Sequence, residues 1–433
     1  MINEDFLHYL WKHKLLAVND LKTTDKRNIT ILNPGDHNQN SGPDFFNARL
    51  IIGGQTWAGN IEVHRRSSDW YVHHHETDTA YDNVILHIVW EHDAEVYRRS
   101  GETVPALEIK NYVDDHLLEN YRKLFLKPVN FISCENEIGN IDGFILDNWL
   151  ERLYVERLCK RSEMISELLT RSKNDWEAVL FQLLTRNFGL KVNADAFLAL
   201  SQSFDFSVLR AQQHDLQRLE ALLFGQAGFL ETEREEVFFK DLKKEYNFLR
   251  SKYDLHPLEN NQFLFFRLRP VNFPTIRIAQ LSKLYFVHMN LFSAILEIKE
   301  VNDFYDLFSV DTSVFWQEHY SFSSPSKKSL KRISRSFIDL LLINTVFPLI
   351  FQYHKAQGKL EEAGILKFMQ ELKPEKNSIT DRFSSFGIFP GNALRTQALL
   401  QLKQAYCDKN LCMECAVGNK LLRSEISSVN LSK

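Results

Sequence analysis

At 433 residues the chain is long enough for two to three domains, and its 44% hydrophobic and 25% charged content is that of an ordinary globular protein. A net charge of −4 argues against coating nucleic acid by bulk electrostatics, while leaving room for a local basic groove. The most apolar stretch, residues 340–351, contains Asn344 and Pro348 and is too short for a bilayer span, and Asn3, Glu4 and Asp5 are the wrong flank for a secretory signal. The expected compartment is the cytoplasm, with no membrane partner.

Residues 5–16 place Phe6, Leu10 and Trp11 on one side and predict an amphipathic helix. Residues 28–32 read as a strand ahead of Pro34-Gly35. Apolar and polar residues then alternate on both sides of Gly53-Gly54, which predicts two antiparallel strands joined by a tight two-residue turn. Asp44 falls at the start of the first strand, and Glu62-Val63-His64 lies late in the second. The antiparallel return brings these ends together, and Glu62 and His64, two apart, share a face. Two carboxylates and an imidazole on one sheet edge suit a divalent cation.

Residues 69–81 add further donors, among them His73-His74-His75. Neighbouring side chains diverge, so within that run only His73 and His75 can share a face. The segment leads into a buried-type strand over residues 83–90, interrupted by His87, and a closing strand is predicted over 104–109. Histidine is concentrated before residue 117, and His64 is the one best placed for metal or proton-transfer chemistry.

From about residue 115 the texture is helical. Helices are predicted over 142–169, from an Asn174 or Asp175 cap through Phe188 to a Gly189 C-cap, and over 234–251. The expected architecture is an α/β domain over 1–115 with a mixed sheet and flanking helices. An all-α body of one or two lobes follows over 116–400, and a cysteine-bearing segment, 401–433, packs on that body.

Two basic elements stand out in the helical part. Pro270 and Pro274 bracket a rigid loop holding Arg269, with Arg277 in the first turn of the helix that follows. A cation is misplaced at a helix N-terminus, so Arg277 calls for an acidic partner: a phosphate, or an intramolecular ion pair. Residues 326–335 include Lys328, Lys331, Arg332 and Arg335, a density that can follow a phosphate backbone or form a solvated helix face. DNA or RNA is the expected partner of these residues.

Cysteine is sparse except at the end, where Cys407, Cys412 and Cys415 stand at C-x4-C-x2-C spacing. Such spacing in a cytoplasmic chain favours metal over disulfide. Three thiolates need a fourth ligand, for which Cys134 is the candidate, because Cys159 sits in a helix beside apolar positions. Zinc, an iron–sulfur cluster and unligated thiols all remain open on spacing alone.

The order helix, strand, hairpin, crossover, strand, with Pro43-Asp44 on one strand and Glu62-Val63-His64 on the next, resembles the PD-(D/E)XK nuclease superfamily over roughly the first quarter of the chain. The resemblance implies a restriction-endonuclease-like fold. It also implies Mg²⁺ or Mn²⁺ held by Asp44 and Glu62, an additional ligand from the leading helix at Glu4, and His64 where that superfamily has lysine. Some of its members hold an iron–sulfur cluster on one remote cysteine and a C-terminal trio, with the remote cysteine ahead of the nuclease motifs, whereas Cys134 follows them. Over nearly its whole length the chain also resembles an uncharacterised bacterial family met mainly in Bacteroidetes. That likeness is carried by Gly42-Pro43-Asp44-Phe45, Glu62-Val63-His64, the strand through His87, residues 269–274 and the terminal cysteines. The expected function is a metal-dependent nuclease or phosphodiesterase with Asp44, Glu62 and His64 as catalytic residues. The alternative is a non-catalytic nuclease-like scaffold or adaptor whose helical body binds a protein or nucleic-acid partner.

Overall fold

The computed structural model describes residues 2–126, 129–259, 262–359 and 362–424. Helix α1 (Glu4–Lys12) starts where the Asn3 side chain accepts from the Phe6 amide, with Glu4 and Asp5 favourably placed in its first turn. It buries Phe6, Leu7, Leu10 and Trp11, and ends earlier than predicted, with Lys14 in the left-handed region.

A mixed sheet of six strands follows: β1 (Ile29–Asn33), β2 (Asp36–His37), β3 (Phe45–Ile52), β4 (Gln55–Arg66), β5 (Val84–Glu91) and β6 (Ala106–Glu108). Their order is β1-β3-β4-β5-β6, with β2 added to β3. β1, β3 and β4 run antiparallel, and β4, β5 and β6 run parallel. The β3–β4 turn is the predicted one: Gly53 and Gly54 both have positive φ, 60° and 85°, as a two-residue turn matched to strand twist requires. A short helix, α2 (Asp69–Val72), and a turn of 3-10 helix make the β4–β5 crossover. Phe45, Leu50, Ile61, Val63, Leu86 and Ile88 lie in the core, which makes the end of β4 and the middle of β5 buried on both faces. Helices α3 (Asp115–Phe125) and α4 (Gly143–Arg171) come next.

The chain divides into two compact units. The first comprises residues 1–149, 386–388 and 402–433, and the second 150–385 and 389–401. The boundary falls inside α4 and not near residue 115, and the tail belongs to the sheet-bearing unit instead of packing on the helical body as expected. Polar contacts show how the tail is held there. Tyr9 donates to Asn419 Oδ1 (2.8 Å), Arg423 Nε donates to the Tyr9 hydroxyl (3.1 Å), and Asn120 donates to the Leu422 carbonyl (3.1 Å).

The second unit is the large helical body. Asp175 caps α5 (Trp176–Phe188) by accepting from the Ala178 amide, as predicted. Gly189 does not act as a left-handed C-cap. Its backbone is right-handed, and Leu190, which begins α6 (Leu190–Gln202), carries the positive φ of 53°. Glycine is required at 189 because a Cβ would collide with the Asn193 carbonyl. The apolar stretch is also longer than its composition suggests. A continuous helical run, Arg335–Ala356, passes through a π-turn at Leu342–Val346, and Pro348 sits in the first turn of the α-helix that follows, where its missing N–H does no harm. Arg161 donates to the Ile343 carbonyl (2.8 Å) and to Asn344 Oδ1 (2.9 Å), satisfying groups within that turn. Among the described helices this run alone is long and apolar enough to cross a membrane, and 72% of its most apolar 18 residues are buried inside the protein.

Candidate metal centre

The site is assembled where β3 starts and β4 ends. Asp44 stands immediately before β3, and a register shift between Phe45 and Ala48 lets it face the end of β4. Its Oδ2 accepts from the Val63 amide (2.9 Å), while Glu62 Oε2 accepts from the Asp44 amide (3.2 Å), so the two carboxylates lock each other's backbone. The parallel β4–β5 register sets His87 beside Glu62. His64 lies between them, with Nδ1 2.9 Å from His87 Nε2.

The other donors come from α1 and the crossover. His8, one turn beyond Glu4 in α1, puts Nε2 3.1 Å from Asp44 Oδ2. After α2 the chain reverses at His74, whose φ of 60° throws its own ring into solvent, and the His75 amide donates back to the Trp70 carbonyl (3.0 Å). That reversal folds His73 and His75 onto β4. His73 Nδ1 lies 3.0 Å from His64 Nε2, and Glu62 Oε1 lies 3.4 Å from His64 Nε2 and 3.2 Å from His75 Nε2. One ring nitrogen each from His64, His73 and His75 falls within 4.8 Å of the others.

Burial decides the charges. It pushes the Glu62 carboxyl up to about 9, with the adjacent Asp44 carboxylate adding to the shift. Burial, reinforced by His75 and His73, holds His64 down at about 3. It also lowers His75, and keeps the fully enclosed His87 well below the ordinary imidazole range. His8 is the exception. Burial works to lower it, but the Asp44 carboxylate 3.1 Å away prevails and raises it. The cluster therefore sets a protonated Glu62 carboxyl among the neutral imidazoles of His64, His75 and His87, with a His8–Asp44 pair at its edge.

Three ring nitrogens here are buried without a well-aligned hydrogen bond: His8 Nε2, beside Asp44, His75 Nε2, close to Glu62 but not aligned with it, and His87 Nδ1. Leaving such a group unpaired costs about 1–3 kcal/mol, so the arrangement has room for a further partner. The geometry fits an ion. Donors around a four-coordinate metal with bonds of about 2.0–2.1 Å stand about 3.3 Å apart, close to the separations of 3.0, 3.2 and 3.4 Å found here. Three imidazoles and one carboxylate suit zinc, manganese or iron better than magnesium, which prefers oxygen ligands.

Asp44, Glu62 and His64 are thus brought together. Glu4 is adjacent but engaged, its Oε1 accepting from the Arg65 amide at 3.4 Å. His8 was missed in the sequence, although its place one helical turn after Glu4 put it on the same face. The basic residues of the second unit fare differently. Arg277 is buried, donating to Gln280 Oε1 (2.8 Å) and Asn272 Oδ1 (2.6 Å) with its guanidinium over Phe337, so its partners are neutral and internal. Lys331 is also buried, its Nζ donating to the carbonyls of Trp316 (2.5 Å) and His319 (3.0 Å). Neither is presented to a phosphate backbone, which corrects that part of the expectation. Lys328 pairs with Glu318 at 3.5 Å, Arg335 lies over Tyr305, and Arg269 and Arg332 are exposed. Residues 326–332 are not helical, so the basic run is not a helix face. Cys134, Cys407, Cys412 and Cys415 line one cavity of the first unit, and Cys159 does not line it.

Fold and site together define an α/β protein with a buried histidine–carboxylate cluster, continued by a helical body. The chain belongs to the family described as "Protein of unknown function (DUF2851)", whose model matches residues 4–378. No curated protein and no solved structure matches it. The matched region contains every donor of the cluster, and the cysteines at 407, 412 and 415 lie beyond it.

Proposed function

We propose that this protein is a metal-dependent phosphodiesterase acting on nucleic acid in the cytoplasm, with the metal held by Glu62, His64, His73 and His75. The observation that carries this reading is the meeting of three ring nitrogens and Glu62 Oε1 at ion-binding separations, directly beside Asp44. The order α1, antiparallel β1–β3–β4 with Asp44 at the start of β3 and Glu62-x-His64 on β4, then a parallel β5, supports the PD-(D/E)XK likeness. In this chain His64 serves as a ligand in place of a lysine ammonium.

A divalent ion bound there supplies an activated water and a counter-charge for phosphoryl oxygens. Asp44 orients His8 and keeps it ready to carry a proton, which suits His8 to protonating the leaving oxygen. Exposed His73 and partly exposed Asp44 mark the side from which a substrate reaches the cluster. The exposed Arg269, Lys328, Arg332 and Arg335 remain the candidate nucleic-acid contacts.

One observation favours the second reading, a scaffold with a structural metal: Tyr81 stacks on His75 at 3.7 Å and Trp70 stands edge-on to it, so aromatic walls close part of the cluster. The deciding experiment incubates the purified chain with single- and double-stranded DNA and RNA in Mn²⁺, Zn²⁺ or Mg²⁺, beside the Glu62→Gln and His73→Ala variants. Hydrolysis that both variants lose supports the phosphodiesterase. Tight metal binding without hydrolysis of any substrate supports the scaffold.

A further inference from the structure

We propose that Cys134, Cys407, Cys412 and Cys415 hold an iron–sulfur cluster that staples the tail of the first unit to the segment ahead of α4. All four residues line one cavity, whose remaining walls include Leu124, Ile138, Leu402 and Val417. They come from positions more than 250 residues apart in sequence, and none is in a disulfide.

Four cysteine side chains on one apolar cavity are the ligand set that iron–sulfur clusters commonly use and that structural zinc also accepts, so the metal and sulfide content of the protein decides between the two.

The surrounding chain is built to present these sulfurs. Asn410, with a φ of 56°, reverses the backbone between Cys407 and Cys412. Cys415 occupies the N-cap of the helix Ala416–Arg423, where the positive end of the helix favours a thiolate. Glycine at 418 lets the Cys412 backbone lie against that helix, since a Cβ there would collide with the Cys412 carbonyl. Asn419 donates to the carbonyls of Met413 (2.6 Å) and Cys415 (3.1 Å), pinning the loop that carries the trio. Burial raises all four thiols, so they are neutral until ligated. Transfer of a preformed cluster to these thiols forms four iron–sulfur bonds, displaces the four ligands the cluster carried and releases four protons, with no change of oxidation state.

The test uses the full chain purified without oxygen and assayed for iron, acid-labile sulfide and zinc, with its visible spectrum. The expected result is iron and sulfide in equal amounts and a brown chromophore bleached by dithionite. Cys134→Ser and Cys412→Ser should each lose most of the iron, and Cys159→Ser should keep it. Protein isolated without metal should regain the chromophore on anaerobic addition of ferric iron and sulfide with dithiothreitol, the thiol supplying any electrons the cluster needs. Stoichiometric zinc without sulfide, or failure to take up iron and sulfide, overturns the proposal even if the serine variants do not fold, because the wild-type assays decide it. These outcomes are independent of whether the histidine cluster hydrolyses nucleic acid.

Discussion

Glu62 is a carboxyl that its surroundings keep protonated at neutral pH, and this shapes two expectations. Its raised pKa means that its contribution to the metal-free fold is intact below the ordinary carboxyl range and is lost progressively as pH climbs from there to about 9. His64, held at about 3, contributes in the opposite sense: its share is present above the ordinary imidazole range and is lost as pH falls toward 3. Glu62→Gln, which keeps the shape and an acceptor for the Asp44 amide, should therefore melt like the wild type only below the ordinary carboxyl range, near pH 4, and resist unfolding better than the wild type from neutral pH to about 9, while losing metal. A large fall in melting temperature at pH 7 with metal affinity intact would assign Glu62 to structure alone. The same protonation predicts that metal binding releases the Glu62 proton, because Glu62 must ionise to act as a ligand. Calorimetry in buffers of different ionisation enthalpy should show that release, and affinity should climb with pH until about 9.

The β4–β5 pairing is the element on which the cluster depends. Gly59 in β4 leaves no room for a side chain, since a Cβ would lie 2.5 Å from Ile85 Cγ2 and 2.6 Å from the Asn83 carbonyl. Gly59→Ala should cost about 1–3 kcal/mol, as overpacking of a closed core does, and should weaken metal binding by moving Glu62. Thermal melts and metal titration of this variant check both effects. His87 belongs to the same pairing and supplies the partner for His64 Nδ1. His87→Ala should lower metal affinity about 10–100-fold, the usual effect of removing a group that orients a ligand. An unchanged affinity would show that His64 needs no such support. Much of this element was legible beforehand. The alternation around Gly53-Gly54, the shared face of Glu62 and His64 and the apolar run through His87 are patterns of period two, read from near neighbours.

The first unit is discontinuous, gathering residues 1–149, 386–388 and 402–433. A chain ending at Gln401 should accordingly loosen the sheet-bearing unit, and hydrogen exchange should show the protection lost in α1 and α3, where Tyr9 and Asn120 hold the tail. Tyr9→Phe, which removes the hydroxyl shared by Asn419 and Arg423, should cost about 1 kcal/mol in a denaturant melt. Equal protection with and without the tail would mean that it merely decorates the unit.

Helix α1, the hairpin, the β5 strand and the Asp175 cap were all determined by the sequence on its own, because turns, caps and side-chain periodicity depend on residues a few positions apart. Other features were decided only by the tertiary structure. His8 meets Asp44 because α1 packs beside the end of β4, and His75 joins Glu62 because His74 takes a left-handed turn. Arg277 and Lys331 carry the composition of a phosphate-binding surface, yet packing encloses them among carbonyls, amide side chains and rings. Cys134 reaches the terminal trio across most of the chain. Contacts at such separations are set by which surfaces bury one another, and a charged side chain becomes a binding group or an internal strut according to what packing leaves in contact with water.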